Sequence, residues 1–406
     1  IVRALKRTMG KEIKIDFYRS LDKSDANAAF NQVSTGLMSG YVGAWGDQFF
    51  GGPEVIEFEK RSKQLFGFDY AISVNSWTSG LEMMVGSIGN DDDSAEIIVT
   101  PWTMSATVMT IIKNGAIPVF ADIDPLTFMP SLDHIKQKIT SKTKAIMLAD
   151  IFGQAYPYDD LIEFKKKGIK LISDAAQAPL ATRHGKHAGF EADITGISLN
   201  RHKHINTGEG GIILTNDEHL AKYCFLSRNH GENITNEEWL LPNMIGNNFR
   251  LTETQAAIGK NQLLKLKDLV LKKRSIASTL INELDKSEYF YCPPTIDGNI
   301  HSYYIFPILI RDEYCNPSFR KKVNDYVISK GLPSLLMGYQ NIHRLPLFTN
   351  PDASTGKFKR YFNPVSLPNA EKLHDQQFIG ILFCNHDFTE EDVILIAKTM
   401  EDGARS

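Results

Sequence analysis

Ile169-Lys170-Leu171-Ile172-Ser173-Asp174-Ala175-Ala176-Gln177-Ala178 is the stretch whose reading decides the fold. A short apolar run ends at an acid and gives way to small residues, the pattern of a buried strand that delivers a carboxylate to its C-terminal end. Outward from it, between about residues 65 and 215, such runs alternate with segments of helical period. Strands are expected at Tyr70 to Val74, Glu96 to Val99, Ile117 to Phe120, Ala145 to Leu148, Ile169 to Ser173 and Ile194 to Ser198. Helices are expected at Ser79 to Ile88, Ser105 to Lys113 and Asp159 to Lys167. This alternation specifies an α/β fold, a mostly parallel sheet covered by helices on both faces. In such sheets ligands bind beyond the carboxyl ends of the strands. Thr78, Asp174 and Ser198 each follow or close a strand, so they converge on that edge.

The rest of the chain divides around a long helical segment from about Thr252 to Ile281. Beyond it, strands such as Tyr304 to Ile310 and a terminal helix starting near Thr389 point to a smaller α+β domain. Thr389 and Asp392 have capping-box spacing, with Asp in place of the usual Glu or Gln. The expected division is an N-terminal extension over 1–27, a large domain over 28–260 and a small domain over 261–406. The chain has 406 residues, 42% of them hydrophobic and 23% charged, with a formal net charge of −3. That balance predicts a soluble globular protein with no global pull toward nucleic acid or membrane. No run of about 18 apolar residues suggests a span, and the first twenty residues lack the apolar core of a secretory signal. The chain opens at Ile1 rather than Met, consistent with an upstream segment having been removed. Cys224, Cys292, Cys315 and Cys384 lie far apart with no CxxC pair, which reads as reduced thiols in a cytoplasmic protein. Asp91-Asp92-Asp93 reads as a solvated loop, and no residue set is read as a metal site.

The chemistry concentrates between Asp174 and Gly211. Lys203 sits in Asn200-Arg201-His202-Lys203-His204, followed by Gly208-Glu209-Gly210-Gly211. Taken alone, such a basic cluster reads as a surface patch for an anion. Ser198 before it and the glycines after it instead make a strand, a loop and a tight turn. Arg201, together with the flanking histidines when protonated, is expected to lower the pKa of Lys203 and favour its free amine. An amine for an aldehyde, a carboxylate for a ring nitrogen and donors for a phosphate are what pyridoxal 5'-phosphate (PLP) requires. Asp174, otherwise a plain helix N-cap, supplies the carboxylate, with Gln177 one helical turn on for the phenolic oxygen. The turn Asn75-Ser76-Trp77-Thr78-Ser79-Gly80-Leu81 offers a helix N-terminus as an anion site, supplemented by the hydroxyls of Thr78 and Ser198.

Together these elements resemble the DegT/DnrJ/StrS family of PLP-dependent sugar aminotransferases, of fold type I. The motifs that carry the resemblance are Gly52-Pro53-Glu54-Val55, the Ser76 to Leu81 turn, Asp174 to Ala178, Ser198 with Lys203 five residues on, Gly208 to Gly211, and Gly246-Asn247-Asn248-Phe249-Arg250. Arg228-Asn229-His230-Gly231 and Leu367-Pro368-Asn369-Ala370-Glu371 echo it further, so that it covers roughly residues 28 to 400. The resemblance implies a seven-stranded-type sheet in the large domain and a cofactor joined to Lys203. It also implies Asp174 on the pyridinium, Gln177 on the phenolic oxygen, and Thr78, Ser79 and Ser198 on the phosphate. Asn248 would reach the neighbouring subunit's cofactor in a homodimer whose active sites lie at the subunit interface. Glutamate and a nucleotide-linked keto sugar are the implied substrates, within amino sugar and polysaccharide biosynthesis.

Three positions depart from the family pattern. Trp77 stands where glycine is usual, so either the phosphate turn accommodates a large side chain or the indole turns outward toward substrate. Met104 stands where an aromatic ring normally covers the cofactor, and its thioether can cover a ring face with less shape definition. Asp150 stands where histidine is common. A related branch of the family carries histidine in place of the lysine and dehydrates its sugar. Five on from Ser198 and five back from Gly208 both land on Lys203, so the register selects transamination. Other readings are an aminotransferase acting on a cyclitol or other non-nucleotide keto substrate, and a PLP-binding sensor. Arg183, His184, Tyr339, His343 and Arg344 are generic candidates for gripping substrate.

Overall fold

The structure, a computed structural model, describes residues 15–43, 46–89, 94–232, 244–353 and 356–406. Asp91 to Asp93 and the first fourteen residues lie outside the described residues. Among the described residues fourteen strands run in chain order: β1 Tyr70–Val74, β2 Glu96–Val99, β3 Ile117–Phe120, β4 Thr143–Ala149, β5 Lys170–Asp174, β6 Thr182–Arg183, β7 Lys186–His187, β8 Thr195–Ser198, β9 Gly211–Thr215, β10 Phe290–Tyr291, β11 Asn299–Ile300, β12 Phe306–Ile310, β13 Leu336–Met337 and β14 Phe378–Ile381. Four of them form a parallel sheet in the order β3-β2-β4-β5. A parallel bridge between Ile172 and Ile194 joins this sheet to β8, and β9 continues it antiparallel to both β8 and β1. The result is a seven-stranded order, β3-β2-β4-β5-β8-β9-β1, with β9 reversed. Its strands are Ile- and Val-rich because both faces are covered. Residues such as Ile72, Ile98, Ile146, Ile172, Ile197 and Ile213 are fully enclosed, each worth about 1.5–3 kcal/mol of burial.

The small domain is the antiparallel sheet β10-β12-β14-β13 with the helices Pro317–Ser329 and Glu390–Arg405. The terminal helix begins as expected, with the Thr389 hydroxyl accepting from Asp392 N–H and the Asp392 carboxylate accepting from Thr389 N–H (3.2 and 3.0 Å). The helix Glu253–Leu284 spans 32 residues behind a Thr252 cap. Its first half (Ala256, Leu263, Leu266, Val270) packs in the large-domain core. Its second half (Ile276, Ala277, Leu280, Leu284) packs in the small-domain core. The boundary expected at 260 therefore falls inside one continuous helix, which belongs to both cores.

Two carboxylates hold motifs that carry the resemblance. Glu253 accepts from Gly52 N–H and Glu54 N–H (3.0 and 2.8 Å), sitting on the N-terminus of the helix Pro53–Phe66. A Cβ at Gly52 would lie 2.7 Å from that carboxylate, so glycine is required there. Asp122 accepts from Asn369 N–H and Ala370 N–H (3.0 and 3.1 Å) in the same manner. The N-terminal segment straps across the small domain: Asp387 N–H donates to Asp16 O (2.9 Å) and Tyr18 N–H to Asn385 O (3.0 Å).

Candidate active site

A cavity of about 310 Å³ opens at the carboxyl ends of β1, β4, β5 and β8, where strand order predicted it. Asp174 is the last residue of β5, not the first residue after it, and residues 175–180 form turns instead of a helix. Asp174 is thus neither a helix cap nor one helical turn from Gln177. The turn still brings both side chains to the cavity wall.

The Asp174 carboxylate is buried and held by three donors. Trp77 Nε1 donates to Oδ1 (2.8 Å), the Thr107 hydroxyl to Oδ2 (2.7 Å) and Ala176 N–H to Oδ1 (3.2 Å). Thr107 pairs in turn with Thr103 (2.7 Å). Donors of this kind offset the cost of burying the charge. Gln177 is oriented by its neighbours: its Oε1 accepts from Phe152 N–H (2.8 Å), and its Nε2 donates to the Tyr339 hydroxyl (3.0 Å). Burial pushes the Tyr339 hydroxyl up to about 12, so it stays protonated.

Lys203 rides on the loop between β8 and β9. That loop is closed by Leu199 N–H to Gly210 O and Arg201 N–H to Gly208 O, both at 3.0 Å. Gly208 takes φ +84° and Gly210 φ +150°, conformations that favour glycine. The amine stands 4.3 Å from the centre of the Tyr304 ring, and among the described residues no carboxylate pairs with it. Its pKa is lowered, as expected, but the cause differs from the expected one. Desolvation does it, opposed by Tyr339, Asp174 and Cys384. Arg201 is exposed. His204 is buried against Ser302 O (2.9 Å) and is pushed down to about 3, so it carries no charge near neutral pH.

The remaining expected residues divide. Thr78 and Ser198 line the cavity. They flank the N-terminus of the helix Trp77–Gly86, whose first N–H groups point out of the helix end. Ser79 does not line it: its hydroxyl and N–H both meet the Ser76 cap (2.8 and 3.1 Å), and Ser76 takes the place at the wall. Met104 lies at the mouth, 55% exposed, with its sulfur turned back toward Ala106 N–H (3.2 Å). The Trp77 indole does not turn outward; the residue is 7% exposed and is part of the cavity lining. Asn248 is exposed and outside this cavity, its side chain accepting from Arg250 Nε (2.8 Å). Asp150 lines the inner wall, fully buried, and is pushed up to about 7 by desolvation. Among the generic cations, Arg183 is paired with Asp159, and Arg344 with Asp375 and Glu371, away from the cavity. The nearby His343 is buried and meets Glu371 (3.2 Å). His184 lies by Gly298 in a separate pocket. Sequence reasoning missed Thr103, Thr107 and Tyr304, whose spacing carries no signal that a polar side chain faces inward.

This donor set fits pyridoxal phosphate. Among the described residues it offers an amine with no carboxylate partner, a fixed carboxylate, and a helix N-terminus with hydroxyls. The DegT/DnrJ/EryC1/StrS aminotransferase family model matches residues 43–401. GDP-perosamine synthase of Escherichia coli O157:H7 is 28% identical over 345 residues, covering 83% of this chain and 90% of that one. Among solved structures, Helicobacter pylori PseC, an aminotransferase involved in the biosynthesis of pseudoaminic acid, is 25% identical with a TM-score of 0.82. The match covers 97% of this chain and all of that one. The E. coli GDP-4-keto-6-deoxy-D-mannose-3-dehydratase with bound hydrated PLP is 21% identical with a TM-score of 0.79, covering 96% of this chain and 100% of that one. At that identity the likeness is one of fold.

Proposed function

Because the chain belongs to the DegT/DnrJ/EryC1/StrS aminotransferase family, we propose that it moves an amino group from an amino acid, glutamate, to a keto sugar carried on a nucleotide, with Lys203 as the working amine. As a member of that family it is a PLP-dependent aminotransferase. Pyridoxal phosphate, when bound, supplies an aldehyde for an amine and a ring that draws electrons from the adjacent carbon. Asp174 holds the proton on the ring nitrogen. Gln177 presents its Nε2 to the phenolic oxygen. Thr78, Ser198 and the helix end before Gly80 take the phosphate, and Met104 covers the mouth. Lys203 Nζ, whose pKa is lowered by desolvation, accepts the proton from the substrate carbon and returns it. Asn248, directed away from this cavity, serves the partner's site in a homodimer. The large and small domains share the helix Glu253–Leu284 in a cytoplasmic enzyme. Among the described residues no helix is long and apolar enough to cross a membrane.

One observation carries this reading: a desolvated lysine amine without a carboxylate partner faces a three-donor carboxylate across one cavity. Purified protein mixed with pyridoxal phosphate should absorb visible light through the Lys203 linkage, and glutamate should convert the bound cofactor to its amine form. K203A should abolish both signals. Binding through Lys203 with no response to any amino donor would favour the sensor reading. Amination of free cyclitols but not nucleotide-linked keto sugars would overturn the substrate class.

A further inference from the structure

Trp77 sits in a slot made by three positions that carry no side chain. An ideal Cβ at Gly196 on β8 would lie 2.6 Å from the indole Cη2. At Gly211 on β9 it would lie 2.9 Å from Cε3, and at Gly80 on the helix, 3.0 Å from the same atom. Side chains at these positions would therefore push the indole out. Two strands and a helix fix its plane, and its single polar atom, Nε1, is aimed at Asp174 Oδ1 (2.8 Å). Indole N–H can only donate. The oxygen it meets therefore has a donor whatever occupies the cavity, and the carboxylate cannot rotate without breaking two side-chain hydrogen bonds.

We propose that Trp77 is a positioning residue for the cofactor's ring nitrogen: its N–H sets the plane of the Asp174 carboxylate that meets that nitrogen. This rests on the role given to Asp174 above. It separates Trp77 from the phosphate turn in which its chain position places it, and it means that the large side chain at this turn acts on the opposite end of the cofactor.

The test is a double-mutant cycle on the affinity for pyridoxal phosphate, using W77F, D174N and the double variant, each measured by cofactor absorbance in the full-length protein. Losing a donor to a buried carboxylate costs about tenfold or more. W77F should therefore weaken binding by about that factor in the presence of Asp174, and much less in the D174N background. Phenylalanine also leaves space against Gly196 and Gly211. Replacing Trp77 by benzothienylalanine, which keeps the indole shape and removes the N–H, separates donation from packing and should reproduce the W77F loss. Equal losses in both backgrounds, or full affinity with the benzothienyl side chain, would overturn the inference and leave Asp174 in its role. Unchanged affinity in D174N alone would overturn the role of Asp174, and this inference with it.

Discussion

Asp150 gives the sharpest test of the buried electrostatics beside the site. Its Oδ1 accepts from Tyr156 N–H (2.6 Å) and its Oδ2 from the Ser173 hydroxyl (2.5 Å), while its own N–H donates to Asp174 O (3.0 Å). The two hydrogen bonds favour the charged form. Desolvation outweighs them and the nearby Asp174 charge adds to it, so the carboxyl is pushed up from 3.8 to about 7. A folded pKa above the unfolded one means that the native state keeps a proton the unfolded chain gives up. The stability from this site is fully present below about pH 4 and is lost as pH rises through about 7. The whole interval corresponds to about 4 kcal/mol, and the part between pH 5 and 7 to about 2 kcal/mol. D150N keeps the shape, and its amide can donate to Ser173 if the Thr195–Ser173 hydroxyl pair (2.8 Å) reverses. Urea unfolding of the cofactor-free protein should show D150N gaining on the native sequence by about 2 kcal/mol between pH 5 and 7, with under about 0.5 kcal/mol more to pH 8.5. Parallel curves over that range would mean that Asp150 is already ionised in the native state, which would refute the reasoning.

Other variants probe the supports of the site. T107V removes the hydroxyl that donates to Asp174 Oδ2 and should weaken pyridoxal phosphate binding about tenfold or more in an absorbance titration. Y18F removes the hydroxyl that donates to His204 O (2.5 Å). It should speed hydrogen exchange of the 200–206 loop by an amount corresponding to about 1 kcal/mol without changing exchange in β4 or β5. T389A deletes half of the capping box on the terminal helix and should cost about 1 kcal/mol, read as faster exchange over residues 390–396.

Six of the seven strands of the large sheet, all but the reversed β9, were legible because a buried parallel strand is a short apolar run whatever surrounds it. Lys203 was legible because its register depends on Ser198 and on glycines within the same loop. Harder cases were decided by contacts distant in sequence. The pKa of Lys203 follows from desolvation, where neighbouring cations had suggested the cause. Ser79 exchanged places with Ser76 because helix capping consumes its hydroxyl and N–H.

By itself, the sequence determined the α/β alternation, the edge at which the cavity's side chains collect, and the place of Lys203 between Ser198 and the glycines, since each depends on periodicity or spacing over a few residues. Only the tertiary structure decided that the Trp77 indole turns inward, that Thr107 and Trp77 share Asp174, that Tyr304 stands over Lys203, and that Asp150 is enclosed. These pairs are separated by 67 residues or more along the chain (Thr107–Asp174, 67; Trp77–Asp174, 97). Whether a polar side chain meets a carboxylate or solvent there depends on how strands and helices stack, which local spacing does not encode.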